Sequence, residues 1–582
     1  MRRVERLNES IAGTSRYKKN NKDSCRPEET HKDEAFMLGL MQNRPLLISD
    51  LVDYVATWHA ETEIVSRDPK GVMHRSNYGQ IASRAKRLAN ALAALGVGPG
   101  DRVATLAWNS WRHLEIYYGV TCSGRVLHTV NPRLFIEQLV YIINHAEDGY
   151  IFFDPDFTPL VEQLAPQLPL VRGWIALCDE KDMPATRVKN LLCFETLLAQ
   201  ASPDYAWPQF DENTACTLCY TSGTTGNPKG VLYSHRSTVL HAFAACAADG
   251  FALSAKDSIL VVVPLFHANA WSLPFSAAMC GAKLVLPGPK LDPESIYMLL
   301  EQEGCTKAGG IPTIWLNFLA YVENNRAKLD LSKLKLKLVF SGGTAAPRAT
   351  IEKFRDLLGV FLLHAWGMTE TSPIVTLGTP LTKHEDATAN EIVDMQVKQG
   401  RQIFGVELRL AGEDGQSVPH DGQAVGQLKV RGNWVISGYF KGEGGKVMDD
   451  HGWFGTGDVA TINPDGYVQL TDRLKDVIKS GGEWISSIEI ENLAVSHPDV
   501  FEAAVIAIPH PKWQERPLLL VQPKPGAHPT KDSILEFLST RIAKWWMPDD
   551  VIFVESLPHT ATGKLLKTEL RAKYGGQLAV AG

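Results

Sequence analysis

Apolar residues along this chain follow two spacings, one typical of helices and one typical of short strands. Residues 78–95 (YGQIASRAKRLANALAAL) carry apolar side chains at helical spacing, which predicts an amphipathic helix that is closed by Gly96. Short apolar runs at 102–107, 125–129 and 150–154 alternate with helical stretches at 113–123 and 138–146. This order of strands and helices predicts a parallel-sheet α/β fold.

The alternation of strands and helices continues through the middle of the chain and then changes. Further strands are predicted at residues 214–220, 258–263, 283–286, 308–310 and 335–341. From about Gly405, short strands at 406–410, 426–431 and 467–470, with turn residues between them, predict a small β subdomain. After a boundary at residues 472–475, the chain has a new order of helices (488–494, 533–542) and strands (500–508, 517–523, 551–554).

These patterns predict an α/β protein with two parts. The large N-terminal domain contains parallel-sheet α/β subdomains and a small β subdomain, and the small C-terminal domain is α+β. The predicted ranges are 1–36 for a disordered extension, 37–471 for the N-terminal domain and 477–582 for the C-terminal domain. The extension is rich in basic residues and lacks the apolar stretch of a secretory signal.

Composition excludes several classes of function. A chain of 582 residues exceeds what a single core holds, so two or more domains are expected. The net charge of −6 gives no general basic field for nucleic acid. Nine scattered cysteines suit a reducing cytoplasm. Prolines and polar residues interrupt the long apolar region 259–280, which predicts a buried strand and turn rather than a membrane helix.

A polar, glycine-rich stretch lies between two apolar runs at residues 220–235, YTSGTTGNPKGVLYSH. Glycines let a backbone approach phosphates closely, and successive N–H groups, hydroxyls and a lysine bind their charge. A preceding strand fits a nucleotide site. The Walker A pattern is absent, because Asn227 and Pro228 separate Gly226 from Lys229. A flexible linker is the alternative, but it gains nothing from the Pro-Lys-Gly end.

Five further motifs follow the glycine-rich loop in order. They are SGGTAAP at 341–347, HAWGMTETSP at 364–373, GTGD at 455–458, DRLKDVIKSGGEWI at 472–485 and PHTATGK at 558–564. In this order and spacing, the chain resembles the AMP-forming acyl-adenylate superfamily from about Met37 to the end. AWGMTETSP, KSGGEWISSIEIEN, HPKWQERP and KWWMPDDV make it most similar to the medium-chain fatty-acid and 3-methylthiopropionate CoA ligases.

The resemblance implies a ligase reaction in two halves. A carboxylate attacks the α-phosphate of ATP to give acyl-AMP and pyrophosphate, and CoA then displaces AMP to leave a thioester. The expected co-substrates are ATP and coenzyme A, with Mg²⁺ as the metal. The resemblance also implies that residues 37–471 bind ATP and the acid, that 472–476 form a hinge and that the C-terminal domain is mobile.

The same motifs supply the nucleotide and metal candidates. Those expected to contact ATP or AMP are Thr221, Ser222, Gly223, Thr224, Thr225, Gly226, Lys229, Gly342, Gly343, Thr344, Ala345, Ala346, Pro347, His364, Ala365, Trp366, Gly367, Thr369, Asp458 and Arg473. Trp366, where many relatives carry Tyr, would flank the adenine. Asp458 would accept hydrogen bonds from the ribose hydroxyls. Thr221 and Glu370 are the expected metal ligands.

The catalytic candidates are Lys564, Lys475 and His267. Lys564 matches the family's catalytic lysine and would stabilise negative charge at the α-phosphate. Lys475 matches the position of the hinge, and His267 is assigned a role near the carboxylate. Lys567 and Lys573 are expected to be solvated surface lysines.

The acyl candidates are His267, Ala268 and Trp271, in the motif PLFHANAW. No Lys, Arg, Asp or Glu lies between Asp257 and Lys283. An amino acid would need a buried carboxylate for its amine, so an apolar acid of short or medium length is favoured. The CoA candidates are Lys479, Gly481, Gly482, Glu483, Trp484 and Glu515.

Two alternative functions are compatible with parts of this pattern. The first is an adenylate-forming enzyme with an aryl acid substrate or an acceptor other than CoA. The second is a non-catalytic nucleotide-binding protein, which predicts loss of Lys564, Glu370 or Asp458, yet all three are present. The expected partners are a small carboxylic acid, ATP and CoA, without nucleic acid or integral membrane association. A homodimer is common in the subgroup.

Overall fold

A computed structural model describes residues 37, 39–221, 227–412, 414–474, 476–480, 483–559 and 565–576, without the side chains of Glu483 and Trp484. The chain divides between Arg44 and Pro45 into two units. In the first unit, the described residues 37 and 39–44 are exposed and form no helix or strand. The disorder predicted for residues 1–36 lies outside the described residues.

All described strands belong to the second unit. In chain order they are β1 (Glu63–Arg67), β2 (Met73–Asn77), β3 (Arg102–Leu106), β4 (Val126–Thr129), β5 (Tyr150–Phe153), β6 (Gly173–Ala176), β7 (Leu191–Cys193), β8 (Ala215–Tyr220), β9 (Gly230–Ser234), β10 (Ser258–Val261), β11 (Lys283–Leu286), β12 (Lys307–Gly310), β13 (Leu338–Ser341), β14 (Phe361–Gly367), β15 (Ile374–Leu377), β16 (Arg401–Gln402), β17 (Val406–Ala411), β18 (Gly426–Gly432), β19 (Phe454–Ile462), β20 (Val468–Arg473), β21 (Ile478–Ser480), β22 (Glu483–Ile485), β23 (Val500–His510), β24 (Gln514–Pro523) and β25 (Asp550–Phe553).

The helices of the same unit lie between these strands. They are α1 (Ile48–Trp58), α2 (Tyr78–Ala94), α3 (Trp111–Thr121), α4 (Ile136–Ala146), α5 (Thr158–Leu164), α6 (Phe194–Gln200), α7 (His235–Cys246), α8 (Ala268–Trp271), α9 (Leu273–Cys280), α10 (Pro293–Gln302), α11 (Pro312–Asn324), α12 (Arg348–Leu358), α13 (Ala389–Gln396), α14 (Ser487–Val495), α15 (Lys531–Ser539) and α16 (Lys567–Tyr574). Within the described ranges, no helix combines the length and the apolar character that crossing a bilayer demands.

Two large sheets confirm the predicted α/β class. One has the strand order β7-β6-β5-β3-β4-β8-β9, and it is parallel except where β9 joins β8. The other has the order β16-β15-β14-β13-β12-β10-β11-β1-β2, with a parallel centre and antiparallel edges. Strands β3 to β6 are almost entirely buried, as expected where helices cover both faces of a parallel sheet.

The region 259–280 differs in part from its prediction. It begins as strand β10 and passes through α8, but it then forms a helix, α9, instead of remaining a turn. Residues 273–278 of α9 are all buried. A helix that is buried all round carries no polar face, so its sequence lacks the periodic signal that identified α2.

Two smaller sheets follow. Strands β17, β18, β19 and β20 form an antiparallel sheet, which confirms the predicted small β subdomain. The last sheet has the order β22-β21-β24-β23, with β25 parallel to β24. Its apolar residues pack with α14 and α15 in one core cluster and with α16 in another, giving the predicted α+β arrangement. The exact domain boundaries stay predictions.

Candidate active site

The glycine-rich loop leaves the large parallel sheet at the end of β8 and returns as β9. Two hydrogen bonds join the ends of the loop. The Thr221 amide donates to the Lys229 carbonyl at 2.9 Å, and the Lys229 amide donates to Thr221 Oγ1 at 3.1 Å. Candidates Ser222, Gly223, Thr224, Thr225 and Gly226 lie outside the described residues. Thr221 and Lys229 are therefore held at fixed positions on either side of the loop.

Glu370 lies on a single 3₁₀ turn, Thr369–Thr371, that follows β14. Its side chain is largely buried, and Oε1 accepts a hydrogen bond from the Tyr439 hydroxyl at 2.8 Å. The backbone of the turn is also held from outside, because the Tyr233 hydroxyl donates to the Thr369 carbonyl at 2.6 Å and the Ile436 amide donates to the Glu370 carbonyl at 3.0 Å. This turn presents a carboxylate in a fixed place.

The structure brings together three of the nucleotide candidates. Trp366 Nε1 donates to Asp458 Oδ2 at 3.1 Å, and Arg473 Nε lies 2.8 Å from Asp458 Oδ1. Asp458 and Arg473 are opposite each other on β19 and β20. Asp458 is only 4% exposed and Trp366 only 7% exposed. The indole, carboxylate and guanidinium thus form one connected unit at the edge of the small β subdomain.

The motif at 341–347 is supported by His364. Its ring is fully buried: Nε2 accepts a hydrogen bond from the Ala346 amide at 3.3 Å, and Nδ1 lies 3.1 Å from the Gln396 carbonyl. Burial lowers the pKa of His364 to about 4, so the ring is neutral near pH 7. Direct contact of His364 with a nucleotide stays a prediction.

Two glycines let the neighbouring candidates come close to other backbone. A Cβ on Gly342 would lie 2.9 Å from the carbonyl oxygen of Ala365, and one on Gly367 would lie 1.8 Å from that of Pro373. Gly343 adopts a positive φ of 89°. Thr344, Ala345 and Pro347 complete this segment, and Pro347 precedes α12 as its N-cap.

The acyl candidates lie on a turn with unusual backbone. Residues Ala268 to Ser272 all have positive φ, between 43° and 69°, so α8 is a left-handed turn. Ala268 and Trp271 are buried and His267 is half-buried. Asn269 fixes the turn: its Nδ2 donates to Thr217 Oγ1 at 2.9 Å, and its Oδ1 accepts from the Tyr117 hydroxyl at 3.3 Å.

In the C-terminal region, two of the CoA candidates are in contact. The Lys479 amide donates to Glu515 Oε2 at 2.8 Å. Lys479 and Trp484 pair across the hairpin of β21 and β22, as do Ser480 and Glu483. Lys475, Gly481, Gly482 and Lys564 lie outside the described residues.

The expectation that Lys567 is a solvated surface lysine is wrong. Its ammonium donates to Ser487 Oγ and lies 2.7 Å from Glu491 Oε1, and both charged side chains are largely buried. Burial alone would lower the pKa of Lys567, but the negative charge of Glu491, with further contributions from Asp472 and Asp476, outweighs this effect and raises the pKa. Lys573 is exposed, as expected. A charged residue at the first position of a short helix gave no sign of its buried partner 76 residues earlier.

Sequence reasoning missed Tyr439 and Asn269. Tyr439 lies in ISGYFKGEGG, a glycine-rich stretch that is typical of an ordinary surface loop. Asn269 lies inside the acyl motif, but its role is to hold the turn through buried contacts. In both cases the partners are distant in sequence, so no local pattern marks them.

Comparison with known proteins agrees with this geometry. Residues 54–440 match the family described as AMP-binding enzyme, and residues 489–564 match the AMP-binding enzyme C-terminal domain. The chain is 50% identical to a 3-methylmercaptopropionyl-CoA ligase of Ruegeria lacuscaerulensis, covering 92% of this chain and 99% of the relative. It is 47% identical to a medium-chain-fatty-acid–CoA ligase of Ectopseudomonas oleovorans, covering 93% and 98%.

A solved structure gives the same picture. The crystal structure of the anthranilate CoA ligase AuaEII in complex with anthranoyl-AMP has a TM-score of 0.81, at 26% identity, covering 92% of this chain and 99% of that one. The chain belongs to the AMP-binding enzyme family. Within it, the protein is an AMP-forming carboxylate–CoA ligase, whose co-substrates are ATP and CoA.

Proposed function

We propose that the acid substrate is a short- or medium-chain fatty acid or 3-methylthiopropionate. The observation that carries this proposal is the uncharged segment around the acyl candidates. Residues 258–282 contain no Lys, Arg, Asp or Glu, and Ala268 and Trp271 are buried within it. Such a surface favours an apolar acyl chain and gives no counter-charge to an amino group. The names of the two relatives described above point to the same substrates.

The nucleotide roles follow from the connected unit of Trp366, Asp458 and Arg473. A carboxylate accepts several hydrogen bonds, so Asp458, held in place by Trp366 and Arg473, would also accept the ribose hydroxyls. The indole face of Trp366 would contact the adenine, together with the segment 342–347. Thr221 and Lys229 would hold the phosphates at the ends of the loop.

The residues present fit Mg²⁺. Among the described residues, no group of three or more His, Cys, Asp or Glu side chains could hold a metal by itself. Mg²⁺ commonly keeps several waters and binds one or two protein oxygens together with substrate phosphates. The buried Glu370 carboxylate and the Thr221 hydroxyl are donors of this kind. When bound, Mg²⁺ would neutralise charge on the phosphates.

Lys564 and Lys475 carry the proposed change between the two half-reactions. With Lys564 near the α-phosphate, the acid's carboxylate oxygen attacks phosphorus and pyrophosphate leaves. After rotation at 472–476, the CoA sulfur attacks the acyl carbon and AMP leaves.

Replacing Lys564→Ala should abolish pyrophosphate release and spare thioester formation from supplied acyl-AMP. Full adenylation by this variant would refute the role of Lys564.

A panel of acids tests the substrate proposal. We expect kcat/KM to be highest for 3-methylthiopropionate or a straight-chain acid of about four to eight carbons, with neighbouring chain lengths differing by about 10–200-fold at most. Benzoate and anthranilate are included as the competing aryl class. A higher kcat/KM for an aryl acid, or pyrophosphate release without any thioester when CoA is present, would contradict the proposal.

The remaining roles are proposed on narrower grounds. The hairpin of β21 and β22, with Lys479 beside Glu515, would contact CoA. A homodimer stays a prediction for light scattering, and a cytoplasmic location stays a prediction from the cysteine pattern.

A further inference from the structure

Tyr439 contacts two of the candidate residues at once. Its hydroxyl donates to Glu370 Oε1 at 2.8 Å, and the Nζ atom of Lys229 lies 4.8 Å from the centroid of its ring. Glu370 is the proposed metal ligand, and Lys229 closes the phosphate loop. A single aromatic side chain therefore connects the metal carboxylate to the phosphate-binding cation.

Residues 434–444, the segment that carries Tyr439, pack closely against the regions of Glu370 and Lys229. On the Glu370 side, the Ser372 hydroxyl donates to the Trp434 carbonyl at 2.9 Å. On the Lys229 side, a Cβ on Gly444 would lie 3.0 Å from Lys229 Nζ. The Lys229 ammonium thus lies close to both the Tyr439 ring and Gly444. This close packing leaves little freedom for either charged side chain.

The far end of the segment is anchored to α4. The Tyr141 hydroxyl donates to Glu443 Oε1 at 2.6 Å, and Lys441 forms an ion pair with Glu147 at 2.5 Å. The segment is therefore held on both sides of Tyr439. A side chain held in this way can impose an orientation on its neighbours instead of following them.

We propose that Tyr439 is a positioning residue for the metal–ATP complex. Its hydroxyl fixes the direction of the Glu370 carboxylate, and its ring holds the Lys229 ammonium toward the phosphates through a cation–π contact. The inference rests on the proposed role of Glu370 as a metal ligand. The two parts of the side chain have separate tasks, so they can be removed separately.

The test uses the full chain and measures binding without turnover. Calorimetry follows the binding of the non-reactive ATP analogue with an α,β-methylene bridge, first without metal and then over a series of Mg²⁺ concentrations. Tyr439→Phe removes the hydroxyl and keeps the ring, whereas Tyr439→Leu removes both. Tyr439→Met replaces the second variant if Tyr439→Leu does not fold, as judged by circular dichroism.

Each variant has its own expected signature. Tyr439→Phe should raise the half-saturating Mg²⁺ concentration by about tenfold, the loss expected for a hydrogen bond to a charged group, while metal-free affinity stays within about twofold. Tyr439→Leu should show the same loss and should also weaken metal-free binding by about three- to tenfold, since the cation–π contact is gone.

The controls separate this inference from the function on which it rests. Thr186→Val also removes a hydroxyl–carboxylate hydrogen bond, the exposed one from Thr186 Oγ1 to Glu162 Oε1 at 2.7 Å, which takes no part in holding the segment of Tyr439, and it should leave the Mg²⁺ dependence unchanged. Glu370→Gln should raise the half-saturating Mg²⁺ concentration; if it does not, the proposed metal role fails. If Glu370→Gln has this effect but Tyr439→Phe matches the wild type, or if Tyr439→Leu binds the metal-free analogue as well as Tyr439→Phe does, the positioning role is overturned.

Discussion

At the scale of single residues, the Asp458 carboxylate is held in place on both of its oxygens. One carboxylate oxygen accepts from the indole of Trp366 and the other is paired with Arg473, while almost none of the side chain is exposed. Two donors from different strands fix the plane of the carboxylate. A ligand that needs two adjacent acceptors therefore finds them already oriented.

Replacing Asp458→Ala should weaken AMP binding by about 10- to 100-fold, because two charge-assisted hydrogen bonds to the ribose would be lost. Calorimetric titration with AMP measures the change. Glu407→Ala is the matched control, since it removes an exposed carboxylate paired with Arg431 in the same β subdomain. An AMP affinity within twofold of the wild type for Asp458→Ala would exclude the ribose role.

The buried pair of Lys567 and Glu491 gives a prediction about stability. Burial raises the pKa of Glu491 to about 7 although Lys567 opposes the rise. Lys567→Met leaves a buried carboxyl group without its cation and should destabilise the C-terminal region by about 3–5 kcal/mol. Thermal unfolding followed by circular dichroism should show this loss.

Adding Glu491→Gln to Lys567→Met should recover most of that stability. The amide keeps an acceptor for the Val505 N–H, which donates to Glu491 Oε1 at 2.7 Å, and it removes the unpaired acid. Equal melting of the single and double variants would show that the charge pair is not the source of the stability.

At the scale of elements, the left-handed turn α8 has a strained backbone and carries two of the acyl candidates. Left-handed backbone costs about 1–2 kcal/mol for each residue other than glycine, so five such residues in succession need compensation. The buried contacts of Asn269 with Thr217 and Tyr117 provide part of it. The turn carries Ala268 and Trp271, and its shape therefore decides where the acyl candidates lie.

Replacing Asn269→Ala should lower kcat/KM for the acid by more than about tenfold and lower the melting temperature, because Thr217 and Tyr117 lose a buried partner. AMP affinity, measured separately, should not change. Ala270→Gly is the comparison. Ala270 has a φ of 47°, which glycine adopts without strain, so this variant should be at least as stable as the wild type. A normal acid kcat/KM for Asn269→Ala would contradict the role of the turn.

The sequence predicted elements where one physical signal dominates. Helix α2 has an apolar stripe and a polar face, and its observed bounds differ from the prediction by one residue. Helix α9 has no polar face, and α8 has no glycine to indicate positive φ, so neither was identified. In the candidate site, motifs singled out Glu370 and Asp458, whose roles stay predictions. Tyr439 was missed because its hydroxyl reaches a carboxylate 69 positions away.

At the scale of the whole molecule, several histidines are buried in neutral form. His235, His241 and His364 each accept a hydrogen bond from a backbone amide, of Ile48, Ile374 and Ala346 respectively. A protonated ring nitrogen could not accept these bonds. Burial accordingly lowers the pKa of His235 and His364 to about 4 and that of His241 to about 3.

These shifts predict loss of stability in acid. The ordinary histidine pKa is 6.5, so between pH 6.5 and 4 the unfolded chain binds more protons than the folded one. The contribution of these histidines to the free energy of unfolding is therefore fully present above pH 6.5. It is lost as the pH decreases toward 4, by about 3 kcal/mol for each histidine. Thermal unfolding at pH 7.5, 6 and 5 should show a falling melting temperature.

His235→Gln should show a smaller acid dependence, because the amide side chain can accept from the Ile48 N–H but does not titrate. The comparison is made between the wild type and this variant over the same pH series. Identical acid dependence of the two proteins would remove His235 from the set of histidines that limit acid stability.

Asp472 and Arg473, at the end of β20, have a consequence for recombination between relatives. Arg473 pairs with the nucleotide candidate Asp458, whereas Asp472 accepts from the Ser487 amide at the start of α14. Adjacent residues on a strand point to opposite faces, so this dipeptide joins the two parts of the molecule at one place. A chimera that exchanges C-terminal domains should therefore transfer Asp472 together with α14 and retain Arg473 or its equivalent opposite Asp458. In evolution, residues on the two sides of this boundary are then expected to change together, so the N-terminal and C-terminal parts would not be inherited as independent modules.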